Sequence, residues 1–170
     1  MPRLHVCSLA LIAETVTKTG ARSLVTLLSP GTAVERPTAI EAEGHLYLAV
    51  SDIVEPMEGH VLPEAAHLEE FLAFVRAWDR KSPMLIHCFA GVSRSTAAAY
   101  IAACALVPER DEFAIACGLR AASPTASPNA RLVALADDAL GRGGLMNEAI
   151  AKIGRGQECS EGEPFTLELD

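Results

Sequence analysis

One nine-residue stretch of the sequence contains several side chains suited to phosphoryl chemistry. It follows a short apolar run and precedes an alanine-rich segment, and it reads His87-Cys88-Phe89-Ala90-Gly91-Val92-Ser93-Arg94-Ser95. A cysteine supplies a thiolate nucleophile, and an arginine supplies a planar cation that binds two phosphate oxygens at once. The five residues between Cys88 and Arg94 can curl so that their backbone N–H groups converge on one anion. The stretch therefore indicates a binding site for a tetrahedral oxyanion with a sulfur atom at its floor.

Two further features support this interpretation. Gly91 permits a backbone conformation that a side chain would hinder. The segment 95–107 predicts a buried helix, and its positive N-terminal end would point at the same anion. Such surroundings favour the thiolate form of Cys88 over the thiol.

A second cysteine and arginine pair has the same spacing but lacks these features. Between Cys104 and Arg110 there is no glycine, Pro108 removes a backbone donor, and Glu109 would repel a phosphate group. The spacing alone is therefore weak evidence, and only the first stretch is a candidate site.

The elements around this stretch predict an α/β domain. Short apolar runs predict strands over 4–9, 23–29, 45–50 and 84–87. Amphipathic or apolar patterns with turn residues at their ends predict helices over 10–20, 64–80, 95–107, 110–122, 129–140 and 145–153. This order gives a central, mainly parallel sheet of about four to five strands flanked by helices. The segment 154–170 is acidic and rich in glycine, and we expect it to be a mobile tail.

Composition narrows the class of protein. The 170 residues are 50 % hydrophobic and carry a net charge of −8, which disfavours a nucleic-acid partner. The longest uncharged apolar run, from Ala97 to Val107, is shorter than the ~20 residues of a membrane span, so we expect no membrane partner. Five cysteines without close pairs or zinc-type spacing indicate reduced thiols, and we expect a cytoplasmic protein without a bound metal.

The stretch 87–95 resembles the phosphate-binding loop of the cysteine-dependent protein tyrosine phosphatases, above all the small dual-specificity members, whose pattern is His-Cys-x-x-Gly-x-Ser-Arg-Ser. The resemblance implies one phosphatase domain over 1–153 with the dual-specificity-like fold. It implies that Cys88 is the nucleophile that forms a phosphocysteine and that Arg94 binds the phosphoryl oxygens. Ser95 would donate a hydrogen bond to the leaving thiolate, and His87 would order the loop.

The same resemblance implies two residues outside the loop. The family uses an aspartate on a separate loop as general acid, and Asp52, just after the third predicted strand, matches it best. Glu55 and Glu58 lie on the same loop and are rivals for this role. Asn129 resembles the asparagine before the last core helix of dual-specificity members, where it would brace the phosphate-binding loop.

The resulting hypothesis is a phosphatase that acts on phosphotyrosine, and also on phosphoserine or phosphothreonine, in proteins. It requires no cofactor, because Arg94, the loop amides and the helix end supply the positive charge. One alternative is a phosphatase of a small-molecule or lipid phosphate, which the uncharged residues Phe89, Ala90 and Val92 disfavour for substrates with several phosphates. Another alternative is a phosphate-binding module that has lost catalysis.

Overall fold

The apolar runs of the sequence form the strands of one sheet. The computed structural model describes residues 2–170, and its strands are β1 (Arg3–Ser8), β2 (Ser23–Leu28), β3 (His45–Ala49), β4 (Met84–Cys88) and β5 (Phe165–Glu168). Their order across the sheet is β3-β2-β4-β1-β5. The first four strands are mutually parallel, and β5 runs antiparallel to β1 at one edge. The expected mainly parallel sheet flanked by helices is confirmed.

Helices cover both faces of this sheet. They are α1 (Ile12–Thr19), α2 (Ala65–Ala77), α3 (Arg94–Leu106), α4 (Glu112–Ala122), α5 (Ala130–Ala139) and α6 (Leu145–Ile153). Helix α1 packs on one face, and the other five lie on the opposite face, where the larger apolar core is. Within residues 2–170, no helix combines the length and the apolar character needed to cross a lipid bilayer.

Helix α3 lies at the centre of the larger core, directly after the candidate loop. Nearly all of its residues are buried, and many of them are alanines, which lets its backbone approach the sheet and the neighbouring helices closely. Tyr100, the largest side chain that is fully buried, anchors it through a hydrogen bond from its hydroxyl to the backbone of Glu112. The first turn of α3 is therefore fixed relative to the end of β4.

The segment 154–170 differs from its expectation, because it is not a mobile tail throughout. Its residues 165–168 form β5, which pairs with β1 in the register Val6↔Phe165 to Arg3↔Glu168. The side chains of Phe165, Leu167 and Leu169 are buried in the main core. The prediction of a mobile tail was wrong because it rested on the net charge of the segment. Apolar and polar residues alternate over 165–169, and this alternation is a strand signal.

The sheet topology brings the candidate residues to one edge. In parallel strands the carboxyl ends meet, so β1, β2, β3 and β4 end side by side. Ser8 is the register partner of Cys88, and Leu28 is the register partner of Ala49. The loops that follow these strands therefore converge on Cys88.

Candidate active site

The loop between β4 and α3 is shaped by donors that hold its carbonyl groups outward. Backbone N–H groups from outside the loop bond to four of its carbonyl oxygens: Leu9 to Phe89 at 3.1 Å, Gly162 to Ala90 at 2.8 Å, Ser127 to Val92 at 2.9 Å and Asn129 to Ser93 at 3.2 Å. The peptide groups of residues 2–170 are trans, so each N–H points away from the carbonyl of its own peptide unit. Outward carbonyls therefore direct the N–H groups of the following residues to the inside of the loop.

Gly91 turns the backbone within this loop. A side chain at this position would displace the neighbouring backbone. Its φ is +72°, a region that residues with a side chain rarely adopt. A Cβ placed there would lie 2.9 Å from the carbonyl carbon of Cys7 and 3.0 Å from the nitrogen of Ser8. The loop thus packs directly against the backbone at the end of β1.

Cys88 lies at the floor of the loop with two polar neighbours. Its side chain is buried, and its Sγ lies 3.1 Å from Oγ of Ser95, where either atom can be the donor. The backbone N–H of Gly91 also points at the sulfur, with N and Sγ 3.3 Å apart. Both groups are placed to donate a hydrogen bond to the sulfur.

Arg94 supplies the cation at the first position of α3. Its side chain is only 7 % exposed, and Nη1 donates to the carbonyl of Val50 at 2.9 Å. Nη1 also lies 3.4 Å from Oγ of Ser29. Its buried Nε has no hydrogen-bond partner among residues 2–170. Because an unsatisfied buried donor costs ~1–3 kcal/mol, this N–H is well suited to an oxyanion acceptor.

His87 is a buried neutral residue that links the loop to the sheet. Burial lowers its pKa to about 4, so the imidazole carries no charge near neutral pH. Its Nε2 lies 2.8 Å from Oγ1 of Thr26, and its Nδ1 lies 3.1 Å from the carbonyl of Cys88. Oγ1 of Thr26 also bonds Nε2 of His45. The positive charge of the site therefore comes from Arg94, the loop amides and the N-terminus of α3.

Asp52 reaches the loop from the segment after β3 and is held there by two side chains. Its Oδ1 accepts a hydrogen bond from Oγ of Ser93 at 2.7 Å and another from Nδ2 of Asn129 at 2.9 Å. Nδ2 of Asn129 also reaches the carbonyl of Ile53 at 3.2 Å, while its Oδ1 caps α5 by accepting from N–H of Leu132 at 3.0 Å. Asn129 thus connects the Asp52 loop, the loop between β4 and α3, and the start of α5.

Most of the sequence-predicted residues line one open cavity of about 1150 Å³, whereas His87, Gly91, Ser95 and Asn129 do not line it. Asp52, Cys88 and Arg94 lie together on its wall, and Phe89, whose side chain is 64 % exposed, lies at its rim. Residues of the segment 154–160 form the opposite side. The sequence analysis did not predict that residues 154–160 line the cavity. The strand signal at 165–169 would have indicated that the C-terminal segment returns to the sheet.

The rival carboxylates are placed differently from Asp52. Glu55 lines a neighbouring groove of about 590 Å³ that shares Asp52 with the main cavity, and Glu58 lines neither of the two. Of the three acidic residues on this loop, Asp52 is the one on the wall that also carries Cys88.

A comparison with protein-family sequence models identifies the same region. The model described as protein-tyrosine phosphatase matches residues 58–122, which include β4, the whole loop and α3. Within that match stand the cysteine and arginine whose geometry is given above. Over these residues the chain is similar to the protein tyrosine phosphatases. A comparison with curated protein sequences gives no match.

Solved structures of dual specificity phosphatases have the same fold. A mouse putative dual specificity phosphatase, crystallised with zinc tungstate, is 21 % identical with a TM-score of 0.62 and 86 % of each chain covered. Human DUSP28 is 22 % identical with a TM-score of 0.61, covering 82 % of this chain and 88 % of its own. DUSP15 is 17 % identical with a TM-score of 0.63, covering 88 % of this chain and 90 % of its own. The chain thus has the dual-specificity fold predicted from its sequence.

Asn129 can be tested by separating its two side-chain contacts. Serine at this position still caps α5 but is too short to reach Asp52, whereas alanine does neither. We expect Asn129→Ser to unfold in urea with nearly the wild-type free energy, and Asn129→Ala to lose about 1 kcal/mol. Both variants should hydrolyse phenyl phosphate roughly 10-fold more slowly, because Asp52 is no longer oriented. Full activity in Asn129→Ser would show that its bond to Asp52 is dispensable.

Proposed function

We propose that this protein is a phosphatase that hydrolyses phosphotyrosine, and also phosphoserine or phosphothreonine, in proteins through a phosphocysteine intermediate. The observation that carries the proposal is that Cys88 and Arg94 line one cavity, with the N–H of Gly91 directed at Sγ of Cys88 and a buried Nε of Arg94 that has no partner among residues 2–170. Together they fit a tetrahedral dianion whose phosphorus faces the sulfur. The dual-specificity relative from mouse, crystallised with tungstate, supports this choice of ligand geometry.

In the first proposed step the Cys88 thiolate attacks the phosphorus, and the bond from phosphorus to the substrate oxygen breaks. The oxygens of the transferring phosphoryl group accept hydrogen bonds from the loop amides and from Arg94. Asp52 protonates the departing alkoxide or phenolate. Both hydrogen bonds to Asp52 use Oδ1, which leaves Oδ2 to carry the proton. The products of this step are the free hydroxyl of the substrate and a phosphocysteine.

In the second proposed step a water molecule hydrolyses the phosphocysteine. Asp52, now a carboxylate, takes a proton from the water as its oxygen attacks phosphorus, and the phosphorus–sulfur bond breaks. Ser95, whose Oγ lies 3.1 Å from Sγ, donates a hydrogen bond to the thiolate that leaves. Inorganic phosphate is released, and Cys88 and Asp52 return to their starting forms.

The rim of the cavity supports a protein substrate with an aromatic phosphoester. The exposed ring of Phe89 offers an apolar surface against which the ring of a phosphotyrosine can pack. The loop residues between Cys88 and Arg94 carry no charged side chain, so little extra positive charge is present for a second phosphate. Charge stabilisation from Arg94, the loop amides and α3 is sufficient for the proposed reaction without a cofactor.

We further propose a cytoplasmic location. The structure leaves all five cysteines as free thiols, three of them buried. A nucleophilic thiolate also requires reducing surroundings to remain active.

Replacement of the nucleophile should separate binding from turnover. In Cys88→Ser the hydroxyl is not ionised, so hydrolysis of p-nitrophenyl phosphate should fall below detection. Binding of tungstate, measured by calorimetry, should persist because Arg94 and the loop amides are intact. Cys104→Ser, which alters a buried thiol away from the cavity, is the matched control and should keep its activity. Wild-type turnover by Cys88→Ser would exclude the phosphocysteine mechanism.

Replacement of the general acid should matter most for poor leaving groups. Asp52→Asn keeps both hydrogen bonds to Oδ1 but cannot donate the proton, so kcat for phenyl phosphate should fall about 10²–10⁴-fold. The loss should be smaller for p-nitrophenyl phosphate, whose leaving group needs less protonation. Glu55→Gln and Glu58→Gln change charge on the same loop and should leave this dependence unaltered. If one of them shows it instead, the acid is that glutamate.

The substrate class can be tested by direct comparison of kcat/KM. We expect phosphotyrosine and phosphothreonine peptides to exceed inositol polyphosphates by at least roughly 10-fold, because the loop lacks the additional cations that several phosphates require. The Cys88→Ser protein measures the background in each assay. A preference for inositol phosphates would place the enzyme among phosphatases of small molecules or lipids.

A further inference from the structure

We propose that the C-terminal segment 160–168, named here the C-terminal strap, sets the orientation of the phosphate-binding loop, with Gly162 as the positioning residue. The inference rests on the proposed function, since it assigns the strap a part in oxyanion binding by that same loop. The resemblance to the phosphatase family did not extend to this segment, and the family model ends at residue 122.

The strap is anchored by the sheet on one side of the loop. Strand β5 pairs antiparallel with β1, and Phe165, its first residue, lies opposite Val6. The residues before Phe165 therefore continue past the carboxyl end of β1. That end is Ser8, the register partner of Cys88. The strap thus reaches the loop from a strand that is itself fixed beside the nucleophile.

Gly162 makes the decisive contact with the loop. Its N–H donates to the carbonyl oxygen of Ala90 at 2.8 Å. The peptide unit that carries this carbonyl also carries the N–H of Gly91, which points at Sγ of Cys88 with N and Sγ 3.3 Å apart. One peptide group is therefore held at both ends, by the strap on the outside of the loop and by the sulfur on the inside.

This peptide group is the part of the loop that most needs an external restraint. Glycine has access to both signs of φ, so rotation of the Ala90–Gly91 peptide is opposed by less local strain than at other residues. A rotated peptide would aim the carbonyl oxygen of Ala90 at the sulfur and at an incoming phosphate, in place of an N–H. The bond from Gly162 favours the orientation that serves anion binding.

Gly91 is also enclosed by backbone on both sides. A Cβ on Gly91 would meet the Cys7–Ser8 peptide at 2.9 Å, and a Cβ on Gly162 would meet the carbonyl oxygen of Gly91 at 2.8 Å. The end of β1, the loop and the strap therefore stack with no room for a side chain at either glycine. This close fit transmits the position of the strap to the loop.

A second contact ties the strap to β1. Oγ of Ser8, a buried residue, donates a hydrogen bond to the carboxylate of Glu161, the residue next to Gly162. Glu161 is itself exposed, so its replacement should be tolerated by the fold. This hydrogen bond, named here the tether, fixes the strap where it crosses the loop.

The main test replaces Gly162 by alanine and measures anion binding separately from turnover. The added methyl group should displace the Gly91 carbonyl and weaken tungstate binding, measured by calorimetry, by roughly 10-fold. We expect kcat for p-nitrophenyl phosphate to fall about 100-fold, as when one oxyanion donor is lost. Gly118→Ala is the matched control, because its Cβ would meet only Leu167 of β5, at 3.9 Å, and should alter neither quantity.

A second pair of variants tests the tether and separates its effect from that of charge. Glu161→Gln removes the negative charge but keeps an oxygen that accepts from Ser8, whereas Glu161→Ala removes both. We expect Glu161→Ala to bind tungstate about threefold more weakly than Glu161→Gln. This comparison remains decisive if Gly162→Ala does not fold.

Two results would overturn the proposal. One is a folded Gly162→Ala protein whose tungstate affinity and kcat stay within about twofold of wild type. The other is equal anion affinity in Glu161→Ala and Glu161→Gln. Neither result can be confused with failure of the proposed reaction, which would appear as absent turnover in the wild type or full turnover in Cys88→Ser.

Discussion

The direction of the peptide groups between β4 and α3 is the constraint on which the rest of this structure depends. A loop of this length could place carbonyl oxygens or N–H groups over the sulfur, and only the second arrangement attracts a phosphate dianion. Four outward carbonyls are held by N–H groups from three separate parts of the chain, namely the residue after β1, the segment 127–129 before α5 and the segment before β5. Because these donors lie on separate elements, the loop is correct only when the whole edge of the sheet has assembled.

The charges of the site are supported by the same assembly. Arg94 begins a helix that is almost wholly buried, so its guanidinium is held between the ends of β2 and β3 and cannot move freely into solvent. His87 stays neutral because it is buried, and it acts as a polar link to Thr26 instead of a second cation. The anion-binding charge is therefore concentrated at Arg94 and at the backbone N–H groups that face the sulfur.

Asn129 and Gly162 show how distant segments contribute to one centre. Asn129 starts α5, binds the loop through its backbone and holds Asp52 through its side chain. Gly162 lies on the strap and fixes the peptide group whose other end faces Cys88. One residue thus orients the proposed acid and the other the proposed anion site, and neither touches the sulfur itself.

Much of this architecture was predictable from local sequence patterns. The strands and helices that flank the loop follow from apolar periodicity and from turn residues, and the stretch 87–95 indicated an oxyanion site through side-chain chemistry alone. The positions of Cys88 and Ser95 needed little more, because they lie at the end of β4 and in the first turn of α3. Asp52 was a weaker inference, because the sequence gives no distance between its loop and the sulfur.

The C-terminal strap could not be placed from the sequence by charge and composition, although its short strand left an alternating pattern. That Gly162 rather than another residue meets Ala90 depends on the register of β5 against β1, and that register is a long-range property. The sequence by itself determined which residues could perform the chemistry, since nucleophilicity and charge belong to side chains. Tertiary structure decided which way the backbone N–H groups of the loop point, because that direction depends on partners far away in the chain.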